Sequence, residues 1–439
     1  MMRLYDDKNS EINVHHIDVL DGIRALAIIV VMWLHIWEQC WLMPVVDTPS
    51  LSFLRINRIN LDWLPRTGYM MVTMLIFLSG FCLYLPYARR NILGEKVCDT
   101  KTFFLKRVAR IVPSYLFCVI LLFIFDIATG AYSNPEYTMC GDSAFMWKDL
   151  FSHLTFTFTL FPTTNSFSLL NGALWTVALE VQFYIIFPLL EKAFSKKPFI
   201  TYTAMTLTSF AYIFYANGQE NIGFLMHQLP SYLGVYANGF LGAMILVGMS
   251  KGIKRNKYIA IASTIIAVCC MYAYYVMMKL LALSDFAKTW QTHNRYYLSI
   301  IFMIFCLASA YALPFYRKIF SCRAAVFLST ISYNLYIWHQ VLAMKFKEYR
   351  IPYYEGDELP NVIGDKPWMW KHFILSIVSS LIVATLVTYF LEKPLSKLIM
   401  KLKKAPEEVC KTGKAPLTPS KAKKYKAKKY KAKKYKAKK

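Results

Sequence analysis

Stretches of about twenty consecutive apolar residues recur in this chain from Leu20 to Ile399, each long enough for a helix to cross a hydrocarbon core roughly 30 Å thick. Lipid gives the backbone no hydrogen-bond partner, so only helices and closed barrels span it. A barrel would show short alternating strands punctuated by turns, and that pattern is missing. The sequence therefore predicts an all-α integral membrane protein, a bundle of about ten transmembrane helices in the cell membrane. Composition agrees, because 56% of the 439 residues are hydrophobic and 16% aromatic, an excess that a soluble domain of this size does not carry.

The apolar runs predict helices over 18–41, 68–88, 110–130, 174–194, 199–217, 229–250, 257–281, 296–316, 325–347 and 371–399. Residues 1–17 are polar and lack a cleavable signal, so the expected organisation is an N-terminal segment 1–17, a membrane domain 18–400 and a tail 401–439. Lys and Arg crowd the turns after the second, fourth, sixth and eighth helices, whereas the alternate loops carry Asp47, Asp62, Glu136, Asp142, Asp285 and Glu355. The basic side is the cytoplasmic one, which places both termini inside. Phe151–Phe161 is apolar but too short to span and reads as an outer re-entrant or interfacial piece.

The net charge of +25 misleads, since twelve of those positive charges are lysines in the repeat from Lys421 to Lys439. Such a tail is expected to be disordered, either solvated or held against anionic lipid, and no nucleic-acid partner is expected of it. The ten cysteines show neither metal-ligand spacing nor a disulfide framework, so no metal is expected.

Polar residues that lipid should exclude mark the candidate site. An ionisable group in the membrane costs on the order of 3 kcal/mol, so Asp18, Asp21, Arg24 and His35 of the first helix should face protein or a wet cavity. Arg24 and His35 are eleven positions apart, about 16 Å along one helix face. They suit a long anionic donor with phosphates at the cytosol and its reactive end deeper, a shape coenzyme A has. Arg107 and Arg110, at i and i+3, either grip phosphate or merely enforce topology. Glu180 sits in an apolar run and needs a partner; His35, at comparable depth, is the expected one, with an unrelated backbone or hydroxyl group as the alternative. His339 either lines the acceptor route or anchors at the interface, and Ser79-Gly80 allows close helix approach.

Together these segments resemble the acyltransferase 3 family. The matches run in order: Leu20 to His35, Phe77-Leu78-Ser79-Gly80-Phe81, Arg107-Val108-Ala109-Arg110-Ile111-Val112-Pro113, Leu174-Trp175 to Glu180, Ser332-Tyr333 to His339, and Glu392-Lys393-Pro394. The resemblance implies a ten-helix enzyme that uses acyl-CoA, most often acetyl-CoA, to O-acylate an extracytoplasmic glycan or lipid-linked sugar. It implies His35 as the essential histidine with Glu180 at the acidic position, and Arg24, Arg107 and Arg110 facing the coenzyme. His35 is then expected to act as the base, with Trp175 and His339 as candidates on the acceptor side. Val181 stands where some members carry a second Glu. The rival reading is an exporter or flippase of a polysaccharide or lipid-linked sugar, using the same groups as a proton relay.

Overall fold

The computed structural model describes residues 11–42, 45–60, 64, 67–133, 143–284 and 287–401. Most of the expected N-terminal segment and nearly all of the Lys-rich tail lie outside the described residues, as do Asp62, Glu136, Tyr137, Asp142 and Asp285.

Ten helices of twenty residues or more form the body: α1 Asp18–Cys40, α2 Gly68–Leu93, α3 Thr100–Ala128, α4 Trp175–Lys196, α5 Pro198–Asn217, α6 Leu233–Gly252, α7 Lys257–Ala282, α8 Ala287–Tyr311, α9 Arg323–Glu348 and α10 Lys366–Leu386. Among the described residues seven spans are long and apolar enough to cross a membrane by length and composition, or eight if the bent pair Thr289–Tyr311 and Pro314–Glu348 counts as one. Thr201, Thr203, Thr206 and Thr208 dilute the apolar character of α5, one of the helices outside that set. One small ribbon departs from the all-helical expectation: Val45–Asp47 pairs antiparallel with Arg58–Asn60.

Two boundaries differ from the sequence reading. The third helix begins at Thr100, ten residues before the predicted start, because Asp99 caps it by accepting the Thr102 N–H at 3.3 Å. Arg107 and Arg110 therefore lie two to three turns inside α3 rather than at its mouth. The predicted eighth helix does not continue to 316. Pro314 lacks the N–H that the ladder needs, so α8 stops at Tyr311, a separate helix runs over Pro314–Phe320, and the stretch Pro314–Glu348 is bent by 119° from Thr289–Tyr311. The segment Phe151–Phe161 read as re-entrant begins in the last turn of a twelve-residue helix, Ser143–Leu154, about 18 Å long and shorter than a hydrocarbon core, and ends in the 3-10 turn Phe158–Leu160.

Lipid supplies little hydrophobic force between helices, so close packing of small residues holds the bundle. The crossing of α2 and α6 shows this best: a Cβ on Gly239 would stand 2.7 Å from both the Phe77 carbonyl oxygen and the Phe81 nitrogen, and one on Gly80 would stand 3.1 Å from Tyr236. The close approach expected at Ser79-Gly80 is thus present. Beside it Phe183 stacks on Tyr236 at 3.5 Å and Tyr84 on Phe240 at 4.7 Å. In contrast α7 turns most of its side chains outward, with 17% of its apolar window buried against 72% for α2. The inner helices α1, α2, α4 and α9 are left to shape an interior space.

Candidate active site

Helix α1 carries Arg24 and Ile28 on one face, and that face lines a cavity of about 880 Å³, counted out to its solvent-open mouth. Helix α3 contributes Arg107, Arg110 and Ile111, and α4 contributes Thr176, Val177, Glu180 and Tyr184. Ser79 and Cys82 of α2 and Ser332, Tyr333 and Tyr336 of α9 complete the wall. The geometry therefore gathers Arg24, Arg107, Arg110 and Glu180, from three helices, around one space.

Each guanidinium is held differently. Arg24 reaches Asp21 at 3.5 Å and donates to the Cys82 thiol at 3.4 Å, while Asp21 also accepts from Ser329 at 3.0 Å. Arg107 lies over the rings of Phe103 and Tyr184, 5.6 Å from each centroid, and its buried Nε has no hydrogen-bond partner among the described residues. A buried cationic donor left unpaired is costly, and an incoming anion would satisfy it. Arg110 is exposed on the same helix. Just beyond it the Tyr333 hydroxyl donates to the Ile111 carbonyl at 2.9 Å, tying α9 to α3 at the level of the arginines.

Glu180 does not meet His35. It accepts a hydrogen bond from Tyr184 at 3.1 Å, one turn along its own helix, and faces the arginine cavity. The predicted pairing fails because a hydroxyl four residues away on the same face offers the carboxylate a partner without crossing the bundle. The partner of His35 is His339: Nδ1 of the first lies 2.7 Å from Nε2 of the second, and the rings stack at 5.0 Å. His339 is fully buried and His35 partly exposed.

The backbone settles which nitrogen holds which proton. Nδ1 of His339 lies 2.9 Å from the Leu335 carbonyl, which only accepts, so Nδ1 carries the hydrogen. Nε2 of neutral His339 is then an acceptor, and it takes the hydrogen on Nδ1 of His35. That leaves Nε2 of His35 with a free lone pair, the state a general base requires. Neither histidine lines the arginine cavity itself, but Tyr336 does, and its ring is 5.6 Å from that of His339.

Trp175 also lies off the cavity wall. It stacks on His227 at 4.3 Å and lies 5.9 Å from Tyr232. Sequence reasoning missed two further features. Asn334 donates to Glu392 at 2.6 Å and to Thr388 at 2.8 Å, across a π-helical turn at Val387–Glu392 that follows α10. Arg295 of α8 is buried against Tyr232, and its polar neighbourhood Gln291-Thr292-His293-Asn294 was the only signal for it. Among the described residues no three His, Cys, Asp or Glu side chains converge as metal ligands do.

A cationic cavity that can hold an anionic donor, with an oriented histidine pair nearby, is equipment that a membrane-embedded group-transfer enzyme requires. The family model of acyltransferase 3, described as an acyltransferase domain, matches residues 17–393, and the chain belongs to that family. It is similar to Putative acetyltransferase ORF330 of Acidianus two-tailed virus, 26% identical over 304 residues that cover 67% of this chain and 80% of that protein. It is also similar to two proteins of Staphylococcus aureus. Putative O-acetyltransferase SACOL0978 of strain COL is 21% identical, with 88% of this chain and 58% of that protein covered. The O-acetyltransferase OatA of strain NCTC 8325 is 22% identical, with 86% and 57% covered. The chain thus spans less than three fifths of the staphylococcal relatives. No solved structure matches it.

Proposed function

We propose that the protein is a membrane-embedded O-acyltransferase that moves an acyl group, foremost acetyl, from acyl-CoA to a hydroxyl of an extracytoplasmic glycan or lipid-linked sugar. The observation that carries this reading is the pairing of His35 with His339, which leaves Nε2 of His35 as a free base, with His339 linked through Tyr336 to the wall of an arginine-lined cavity. In this reading the long helices make about ten crossings, both termini face the cytosol, and the arginine mouth opens to that side.

Arg24, Arg107 and Arg110 bind the phosphates of the donor, with the orphaned Nε of Arg107 gaining an acceptor. Glu180 offsets part of this positive charge and holds the Tyr184 hydroxyl. Nε2 of His35 takes the proton of the acceptor hydroxyl as its oxygen bonds to the thioester carbon. The C–S bond then breaks, the imidazolium of His35 passes that proton to the departing sulfur, and coenzyme A leaves as the thiol with His35 neutral again. The imidazolium formed on the way is stabilised through Nδ1–H donating to His339, which buries no carboxylate. Trp175 and His339 remain on the acceptor side, the first as a stacking surface and the second acting through His35.

Transfer of labelled acetyl from acetyl-CoA, measured with the purified protein and its envelope glycan fraction, tests the reading. His35→Ala should lose activity by about 10²–10⁴-fold. Full activity in that variant would refute the assignment.

A further inference from the structure

Arg295 is 3% exposed and forms no ion pair with any carboxylate among the described residues. Its guanidinium lies 3.8 Å from the ring centroid of Tyr232, and its Nη1 donates to the Ser231 hydroxyl at 2.9 Å and the Ser231 carbonyl at 3.5 Å. The opposite edge of the fork, Nε with Nη2, makes no hydrogen bond among the described residues, nor does the Tyr232 hydroxyl. A cation buried inside a membrane protein normally faces a counter-ion, a carbonyl or a wet path, and this one spends a single nitrogen on Ser231. The edge left over is the side-on, two-donor edge that matches a phosphate or carboxylate in bidentate fashion.

We propose that Arg295 and Tyr232 form a second anion site, separate from the donor arginines, that takes a phosphate group borne by the acyl acceptor. The inference rests on the O-acyltransferase reading and deepens it: the acceptor is a phosphorylated sugar rather than a neutral one. Position favours the acceptor. Tyr232 lies 5.9 Å from Trp175, which stacks on His227, and the next residue, Thr176, lines the cavity. Trp175 thus links the cavity wall at Thr176 to the Tyr232–Arg295 pair. Two donors on the guanidinium edge together with a phenolic hydroxyl suit an anion with three free oxygens, which favours phosphate over carboxylate.

The test uses the full chain in neutral detergent with saturating coenzyme A, so that the donor arginines are occupied. Glucose 1-phosphate should raise Tm by at least about 2 °C while glucose does not. The shift should survive Arg107→Ala, vanish in Arg295→Gln and return at least partly in Arg295→Lys. Should Arg295→Gln fail to fold, the wild-type comparison decides alone: equal responses to glucose and glucose 1-phosphate overturn the proposal. A Tm rise in phosphatidylglycerol nanodiscs over phosphatidylcholine ones, with none from glucose 1-phosphate, overturns it too and gives the fork to a lipid headgroup. Thiol release from acetyl-CoA by the wild type is read in parallel. Its absence would sink the O-acyltransferase reading while leaving the anion site standing.

Discussion

Replacing His339 by Ala separates a base that is oriented from one that is merely present. The 2.7 Å contact between Nδ1 of His35 and Nε2 of His339 is neutral at rest and becomes charge-assisted once His35 accepts a proton. A hydrogen bond to a charged group contributes about 1.5–3 kcal/mol, and at tenfold per 1.36 kcal/mol its loss from the transition state slows kcat by about 10- to 150-fold. The contact strengthens only as charge develops, so KM for acetyl-CoA should hardly move. His339→Gln, whose side-chain oxygen can occupy nearly the place of Nε2, should recover part of the rate. Because the two rings act as a unit, the double variant His35→Ala/His339→Ala should be no slower than His35→Ala alone. The assay is labelled acetyl transfer under saturating donor, with Tm measured on each variant. A His339→Ala protein that folds and keeps its full kcat would refute the reasoning, as would losses that multiply in the double variant.

Three other outcomes are expected. Arg107→Ala, which removes the orphaned buried donor, should weaken coenzyme A binding in isothermal titration by about 10- to 150-fold, and unchanged affinity would remove Arg107 from the donor site. Glu180→Gln lowers the negative charge of the cavity and should reduce KM for acetyl-CoA by no more than about tenfold; a loss of kcat as large as that of His35→Ala would put the carboxylate back in the proton path. Gly239→Ala drives a Cβ to 2.7 Å from two backbone atoms of α2 and should cost about 1–3 kcal/mol of stability, read as a lower Tm in detergent.

The sequence reveals a good deal of this molecule and hides the contact on which the chemistry turns. Long apolar runs give away the ten long helices, because lipid leaves few other ways to arrange them. Arg24, Arg107, Arg110 and Glu180 stand out for the same reason, and they do gather at one cavity. Helix ends were misread where polar chemistry sets them: Asp99 starts α3 in a basic stretch that no apolar pattern reaches, and Pro314 breaks what looked like a continuous span. The His35–His339 contact joins residues 304 positions apart, and residue type gives no hint of it, since a carboxylate is the more familiar partner for an imidazole. Counting depth from helix ends put Glu180 beside His35, but depth fixes only one coordinate. Rotation about α4 turns the carboxylate to Tyr184 instead.

The oxygen at Leu335 that anchors the histidine pair is part of the rod itself, the acceptor in one ordinary winding of α9. In the mechanism proposed above, the readiness of His35 is therefore tied to helical pitch: unwinding that single coil would free a ring to flip and misplace the hydrogen that orients the base. An inhibitor, a lipid or a neighbouring subunit that bends α9 near residue 335 would act as an off-switch from outside the reaction chamber.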